Sequence, residues 1–176
     1  CVAGKFFEQE AQTAAVTCKH CVAGQHQDEA GQTSCKGTAC IAGKFFEQEA
    51  QTAAVMCKDC VAGQHQDETA QTACKGTACV AGKFFEQEAQ TSPVTCKDCV
   101  AGQHQDETAR TACKGTACVA GKFFEQVAQT SPVTCKDCVA GQHQDEAGQT
   151  SCKGTACIAG KFFEQEAQTS PVTCKD

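Results

Sequence analysis

Eighteen cysteines in a chain of 176 residues are the side chains with most chemistry to offer. They follow one rhythm: sixteen intervening residues, then two, thirteen and four, repeated from Cys1 onward. Three chemistries fit that rhythm. Disulfides closed within each segment would pair Cys1-Cys18, Cys21-Cys35, Cys40-Cys57, Cys60-Cys74, Cys79-Cys96, Cys99-Cys113, Cys118-Cys135, Cys138-Cys152 and Cys157-Cys174, leaving none over. Each such loop contributes about 3 kcal/mol in the chain-entropy account. An overlapping register, Cys18-Cys35 with Cys21-Cys40 and so on, would leave Cys1 and Cys174 to find partners elsewhere, and connectivity does not follow from spacing alone. The third chemistry is zinc. Cys18-Lys19-His20-Cys21 with Cys35 and Cys40 reads C-x2-C-x13-C-x4-C, the form of a four-cysteine site. It would idle Cys1 and Cys174, and it has Val-Ala where a zinc knuckle carries a tight Gly turn. Redox catalysis at Cys18/Cys21 or Cys57/Cys60 lacks the βαβ surroundings of such motifs.

The other candidates are weaker. His26, His65, His104 and His143 recur 39 residues apart, which suits surface or packing residues better than a shared metal site. The clusters Gln27-Asp28-Glu29 and Glu8-Gln9-Glu10 lack the D-x-D-x-D-G spacing of a calcium loop and read as solvated hairpin tips. Thr91-Ser92-Pro93-Val94-Thr95 has the composition of an O-glycan acceptor, with Thr91, Ser92 and Thr95 as acceptors. The same segment returns with Thr130, Ser131 and Thr134, and again with Thr169, Ser170 and Thr173. No serine sits in a nucleophile elbow and no carboxylate pair differs from its copies, so no enzyme is expected and no cofactor is implied.

What positions the cysteines is a repeat of 39 residues, with copies at 1–39, 40–78, 79–117 and 118–156 and a half copy at 157–176. Each copy splits into two related halves, CVAGKFFEQEAQTAAVTCKH and CVAGQHQDEAGQTSCKGTA in the first. In-module pairing is favoured because it matches this duplicated half. Departures between copies are few: His20, Met56, Arg110 and Val127 are single changes, and Ala14-Ala15 becomes Ser-Pro from the third copy onward. No copy acquires a constellation the others lack. The chain starts on a repeat's first cysteine and stops halfway through another, as expected of a piece of a longer, processed protein.

Composition narrows the class. The chain has no Leu and no Trp, and its large apolar side chains are Phe, two Ile and one Met, too little for the single core expected at this length. Cysteine at about a tenth of the residues is the range of disulfide scaffolds. A net charge of -6 offers no basic surface for nucleic acid. No apolar run approaches the ~20 residues of a membrane span.

The phrases C-V-A-G-K-F-F and C-V-A-G-Q-H-Q-D-E-A-G-Q-T-S-C-K resemble the ephrin-receptor-like cysteine-rich repeat, related in style to the single-disulfide modules of TNF-receptor ectodomains. The resemblance covers essentially the whole chain. It matches Gly4 and Gly24 to the motif glycine, and Phe6, Phe45, Phe84, Phe123 and Phe162 to the motif aromatic. Val or Ile replaces the motif Pro, and His takes the aromatic position in second halves. The resemblance implies a secreted or cell-surface location, with little about activity.

These readings predict a small disulfide-rich fold: short irregular β-hairpin modules in tandem, forming an elongated rod on the order of 100 Å long. In each first half, residues 5–8 are expected as one strand and 12–18 as its return. Alternation would turn Phe6 onto the cystine and Phe7 outward. Phe7, Phe46, Phe85, Phe124 and Phe163 are then the candidates for self-association into a homopolymer. The expected function is a structural segment of an extracellular rod or filament. The alternatives are the stalk or binding ectodomain of a receptor or adhesin, and a zinc-binding array.

Overall fold

A computed structural model describes residues 1–9 and 15–176. Among the described residues there is no helix. The regular structure is five two-stranded antiparallel hairpins. Four lie in first halves: β1 Lys5–Phe6 with β2 Lys19–His20, β3 Lys44–Phe45 with β4 Lys58–Asp59, β5 Lys83–Phe84 with β6 Lys97–Asp98, and β7 Lys122–Phe123 with β8 Lys136–Asp137. The fifth, β9 Gln142–His143 with β10 Lys153–Gly154, lies in a second half. The remaining second halves keep the same pairing as a single bridge, His26 to Lys36, His65 to Lys75 and His104 to Lys114, and the last first half bridges Phe162 to Lys175.

The opening phrase Cys-Val-Ala-Gly explains how each hairpin starts. Lys5 N–H donates to Val2 O (3.1 Å) and Gln25 N–H to Val22 O (2.9 Å), with Gly4 at φ +80° and Gly24 at +93°. That is a β-turn whose third residue is left-handed, a position for which glycine carries no Cβ penalty. The strand leaving the turn is shorter than expected, Lys5–Phe6, and its partner is the pair beyond the closing cysteine, Lys19–His20. The expected return over 12–18 is not made: 15–18 carry no strand, and 12–14 lie outside the described residues. The reason is that the intervening loops bond to a preceding half instead. Ala50 N–H donates to Cys21 O (2.8 Å), and Gln51 O accepts from Gln27 N–H (2.9 Å).

The chain divides into two compact units, Cys1–Ala78 with Gln87–Thr95, and Cys79–Glu86 with Cys96–Asp176. Each is built alike. The core is made of cystines and small residues: Cys21, Ala23, Cys40, Cys60 and Ala62 in the first, Cys79, Cys99, Ala101, Cys118 and Cys138 in the second. Every half is fastened to the one before it by a loop residue with positive φ whose N–H reaches an opening cysteine's carbonyl. In the first unit Gly31 donates to Cys1 O, Ala50 to Cys21 O, Ala70 to Cys40 O and Ala89 to Cys60 O. In the second, Ala109 reaches Cys79 O, Ala128 Cys99 O, Gly148 Cys118 O and Ala167 Cys138 O. Two of these positions are glycine and six are alanine at φ 54–60°, a conformation costing an L-residue about 1–2 kcal/mol.

Gly43 shows how close the packing is. A Cβ there would fall inside the van der Waals shell of the Ala89 carbonyl oxygen, at a φ of +82° that already disfavours a side chain. Gly43→Ala is therefore expected to destabilise the oxidised chain by at least about 2 kcal/mol. Ala109→Gly, which copies Gly31 and Gly148, should raise stability by up to about 1 kcal/mol after glycine's extra entropy cost. Denaturation midpoints under non-reducing conditions test both signs.

Candidate functional site

The repeated feature with the most built geometry is the junction centred on a buried glutamine in each second half. Gln27, Gln66, Gln105 and Gln144 are the largest fully buried side chains of the described residues. Gln66 serves as the example. Its side-chain Nε2 donates to Ala73 O (2.7 Å) across its own loop, and its Oε1 accepts from Glu68 N–H (3.1 Å). Its backbone N–H donates to Gln90 O (2.8 Å), while its carbonyl accepts from Gly43 N–H (2.7 Å). One residue thus ties its own loop to the half before it and the loop after it. A buried amide is tolerated when its donors and acceptors are met in this way. The other three repeat the side-chain pair, to Ser34 O and Glu29 N–H, Ala112 O and Glu107 N–H, and Ser151 O and Glu146 N–H.

This corrects the expectation that Gln27-Asp28-Glu29 is wholly a solvated tip. Asp28 and Glu29 are exposed, but Gln27 is 2 % exposed. The alignment of the two halves sets Gln27 on Phe7, an aromatic position, and all four copies keep Gln there. That was the available signal. Beside it, His65 is buried, whereas His26, His104 and His143 are half-buried. The Nδ1 atoms of His65 and His143 are buried without a hydrogen-bond partner. These imidazoles lie over the glycine that follows the closing Cys-Lys, with Nδ1 3.5 Å from a Cβ placed on Gly76.

Around the rim the charges alternate in fixed pairs. In first halves Lys58 meets Glu47 (2.6 Å) and Lys44 meets Asp59 (2.5 Å), with equivalents in the third and fourth repeats. In the first repeat Lys5 faces His20 in register in place of an aspartate. In second halves Lys36, Lys75, Lys114 and Lys153 each hold an aspartate at 2.5 Å: Asp28, Asp67, Asp106 and Asp145. The lysine hydrogen bond, helped by a backbone N–H, holds each of these aspartates below the usual carboxylate range, and the aspartate in turn raises its lysine. Arg110, the chain's only arginine, pairs with Glu107 beside an open depression of about 390 Å³ that Gln105, Thr111 and Lys114 also line.

The structure joins each opening cysteine to the closing cysteine of its own half, with Cα–Cα distances of 5.5–5.8 Å. No cysteine is free. Cys18, Cys21, Cys35 and Cys40 fall in three different cystines, so the four-thiolate zinc set is not assembled and the overlapping register is not adopted. Nine disulfides are the mark of an oxidising compartment. No helix among the described residues is long and apolar enough to cross a membrane.

The two phenylalanines of a first half do not divide into inward and outward. Phe6 and Phe7 are both half-buried, as are Phe45, Phe46, Phe84, Phe85, Phe123 and Phe124. Phe46 N–H donates to Gln71 O (3.2 Å), which draws this side of the hairpin into the junction and limits the exposure that strand alternation alone would give. In the half copy Phe162 is the exposed one and Phe163 half-buried. More exposed are the residues after the opening cysteine of first halves, Val2, Ile41, Val80, Val119 and Ile158, at 51–65 %. The hydroxyl residues Thr91, Ser92, Thr95, Thr130, Ser131, Thr134, Thr169, Ser170 and Thr173 are all exposed.

No known protein family matches the chain, and no curated protein shows significant similarity to it.

Replacing Gln66 by Leu would strand the Ala73 carbonyl and the Glu68 amide, so Gln66→Leu is expected to cost about 2–4 kcal/mol and to speed hydrogen exchange at Glu68. The ion pairs set a pH window. The lowered aspartates contribute stability above their unfolded value of about 3.9, lost as pH falls through the folded one. The raised lysines contribute below about 10.4, lost as pH rises past the folded value. Carboxyl titration by NMR should place Asp67 below that unfolded value, and Lys75→Met should move it upward.

Proposed function

We propose that this chain is a structural segment of an extracellular repeat protein, with a mechanical and spacing role and no catalytic one. The observation that carries the reading is the junction itself. The same buried glutamine, the same backbone bonds and the same cystine return in every complete repeat, so what is reproduced is a way of attaching one module to the next. A catalytic site requires a single distinguished constellation, whereas a fibre requires an attachment that repeats. The nine disulfides and the resemblance to ephrin-receptor-like repeats support a secreted or cell-surface location.

On this reading the modules continue one another into an extended rod. Copies associate through a heterologous contact that propagates into filaments when it does not close. The apolar side chains available for that contact are the exposed Val2 and Ile41 class and the half-buried Phe7 class, which recur once per repeat.

Small-angle scattering of the oxidised chain tests the shape. A rod on the order of 100 Å long has a radius of gyration near ~30 Å, against ~16 Å for a compact domain of this length. The lower value would overturn the rod. Negative-stain images at raised concentration should show filaments with a regular axial repeat. Isolated extended monomers at every concentration would support the receptor or adhesin stalk instead.

A further inference from the structure

The segment Thr91-Ser92-Pro93-Val94-Thr95 and its copies at 130–134 and 169–173 differ from the rest of the array in a way the fold does not require. In the second repeat the same loop reads Thr52-Ala53-Ala54-Val55-Met56. Its backbone follows the same course, a bridge at Gln51 or Gln90, two bends, then a stretch without regular structure into the closing cysteine. Serine, proline and the last threonine are therefore dispensable for building the module.

The local structure makes the segment accessible. Among the described residues, no hydrogen bond from any of the five residues, main chain or side chain, ties 91–95 to the rest of the chain, and the same holds for 130–134 and 169–173. Valine at the fourth position is the one half-buried residue, while the three hydroxyl-bearing residues and the proline are exposed. Proline keeps its own φ near −65° and narrows the choices of the residue before it, so the exposed hydroxyls sit on a stiffened strip that belongs to no strand. Such a strip can enter the peptide groove of a modifying enzyme without unfolding the cystine-closed hairpin beneath it.

We infer that these three segments are sites of O-glycosylation, carried on repeats three to five and absent from repeats one and two. The inference rests on the extracellular reading above, because the glycans meant here are those added to exposed Ser and Thr along the secretory route. In the transfer a Thr or Ser Oγ attacks the anomeric carbon of a phosphate-activated sugar. The glycosidic C–O bond forms, the sugar–phosphate bond breaks, and the hydroxyl proton passes to a base of the transferase as the phosphate leaves. No oxidant or reductant is needed. The chain contains no Asn, so its glycans are confined to hydroxyl oxygen.

The test uses the full chain secreted from eukaryotic cells that perform O-glycosylation, with intact mass read before and after reduction and sites mapped by fragmentation. Sugar is expected on 91–95, 130–134 and 169–173, and not on Thr38, Thr77 or Thr116, which are equally exposed but have no proline beside them. The triple variant A53S/A54P/M56T should create a further glycosylated segment in the second repeat. The variant S92A/P93A/T95M should lose sugar in the third while remaining fully oxidised, since the second repeat forms the same loop with those residues. Secreted, oxidised protein bearing no sugar, or bearing it evenly over Thr38, Thr77 and Thr116, overturns this inference and leaves the extracellular reading standing. Protein retained in the cell with free thiols overturns both.

Discussion

A cystine at the centre of each half-repeat takes the place that a hydrophobic core occupies in larger domains. About twenty residues with two aromatic side chains at most bury too little apolar surface to order themselves. Cross-linking positions seventeen or fourteen residues apart removes the open conformations that would otherwise dominate. Once the opening and closing cysteines are joined, the two residues after the Val-Ala-Gly turn and the two beyond the closing cysteine lie side by side. A ladder of two residues, or a single bridge, is then enough. The longer hairpin expected over 5–18 is unnecessary, because the sulfur bond has already set the register.

That economy frees the loops to bond elsewhere, and the junction between halves is made mainly by backbone groups. Its centre is polar: the position held by Phe46 in a first half is held by Gln66 in the next, and the glutamine is the more deeply buried of the two. An aromatic ring would fill this space without satisfying the Ala73 carbonyl and the Glu68 amide, whereas the carboxamide does both. Six alanines held in left-handed geometry show that the fastening bonds outweigh the local strain they require.

The outer surface follows a different rule. Lysines are met by carboxylates in register, in pairs that are largely exposed and hence weak individually. Copies diverge at exposed loop positions such as Met56, Val127 and the Ser-Pro pair, where the underlying module is indifferent to the side chain. The fastening position also varies, between glycine at Gly31 and Gly148 and alanine at Ala70 and Ala109, yet the same backbone bond is kept.

The cysteine rhythm, the 39-residue period and the Val-Ala-Gly phrase determined by themselves the hairpin class, the number of modules and the turn that opens each one. Those features are local, or repeat identically, so each copy carries the same instruction. Only the tertiary structure decided among the cysteine pairings, because three schemes share one spacing and differ in which sulfurs are brought within bonding reach. It also decided which residues are buried. Gln27 sits in a run of polar and acidic residues and reads as solvated from its neighbours. Its burial depends on Gly4 and Gln51, which approach it from the halves on either side. Side-chain alternation likewise failed to sort Phe6 from Phe7, because a two-residue strand wedged between loops has no solvent face and core face of its own.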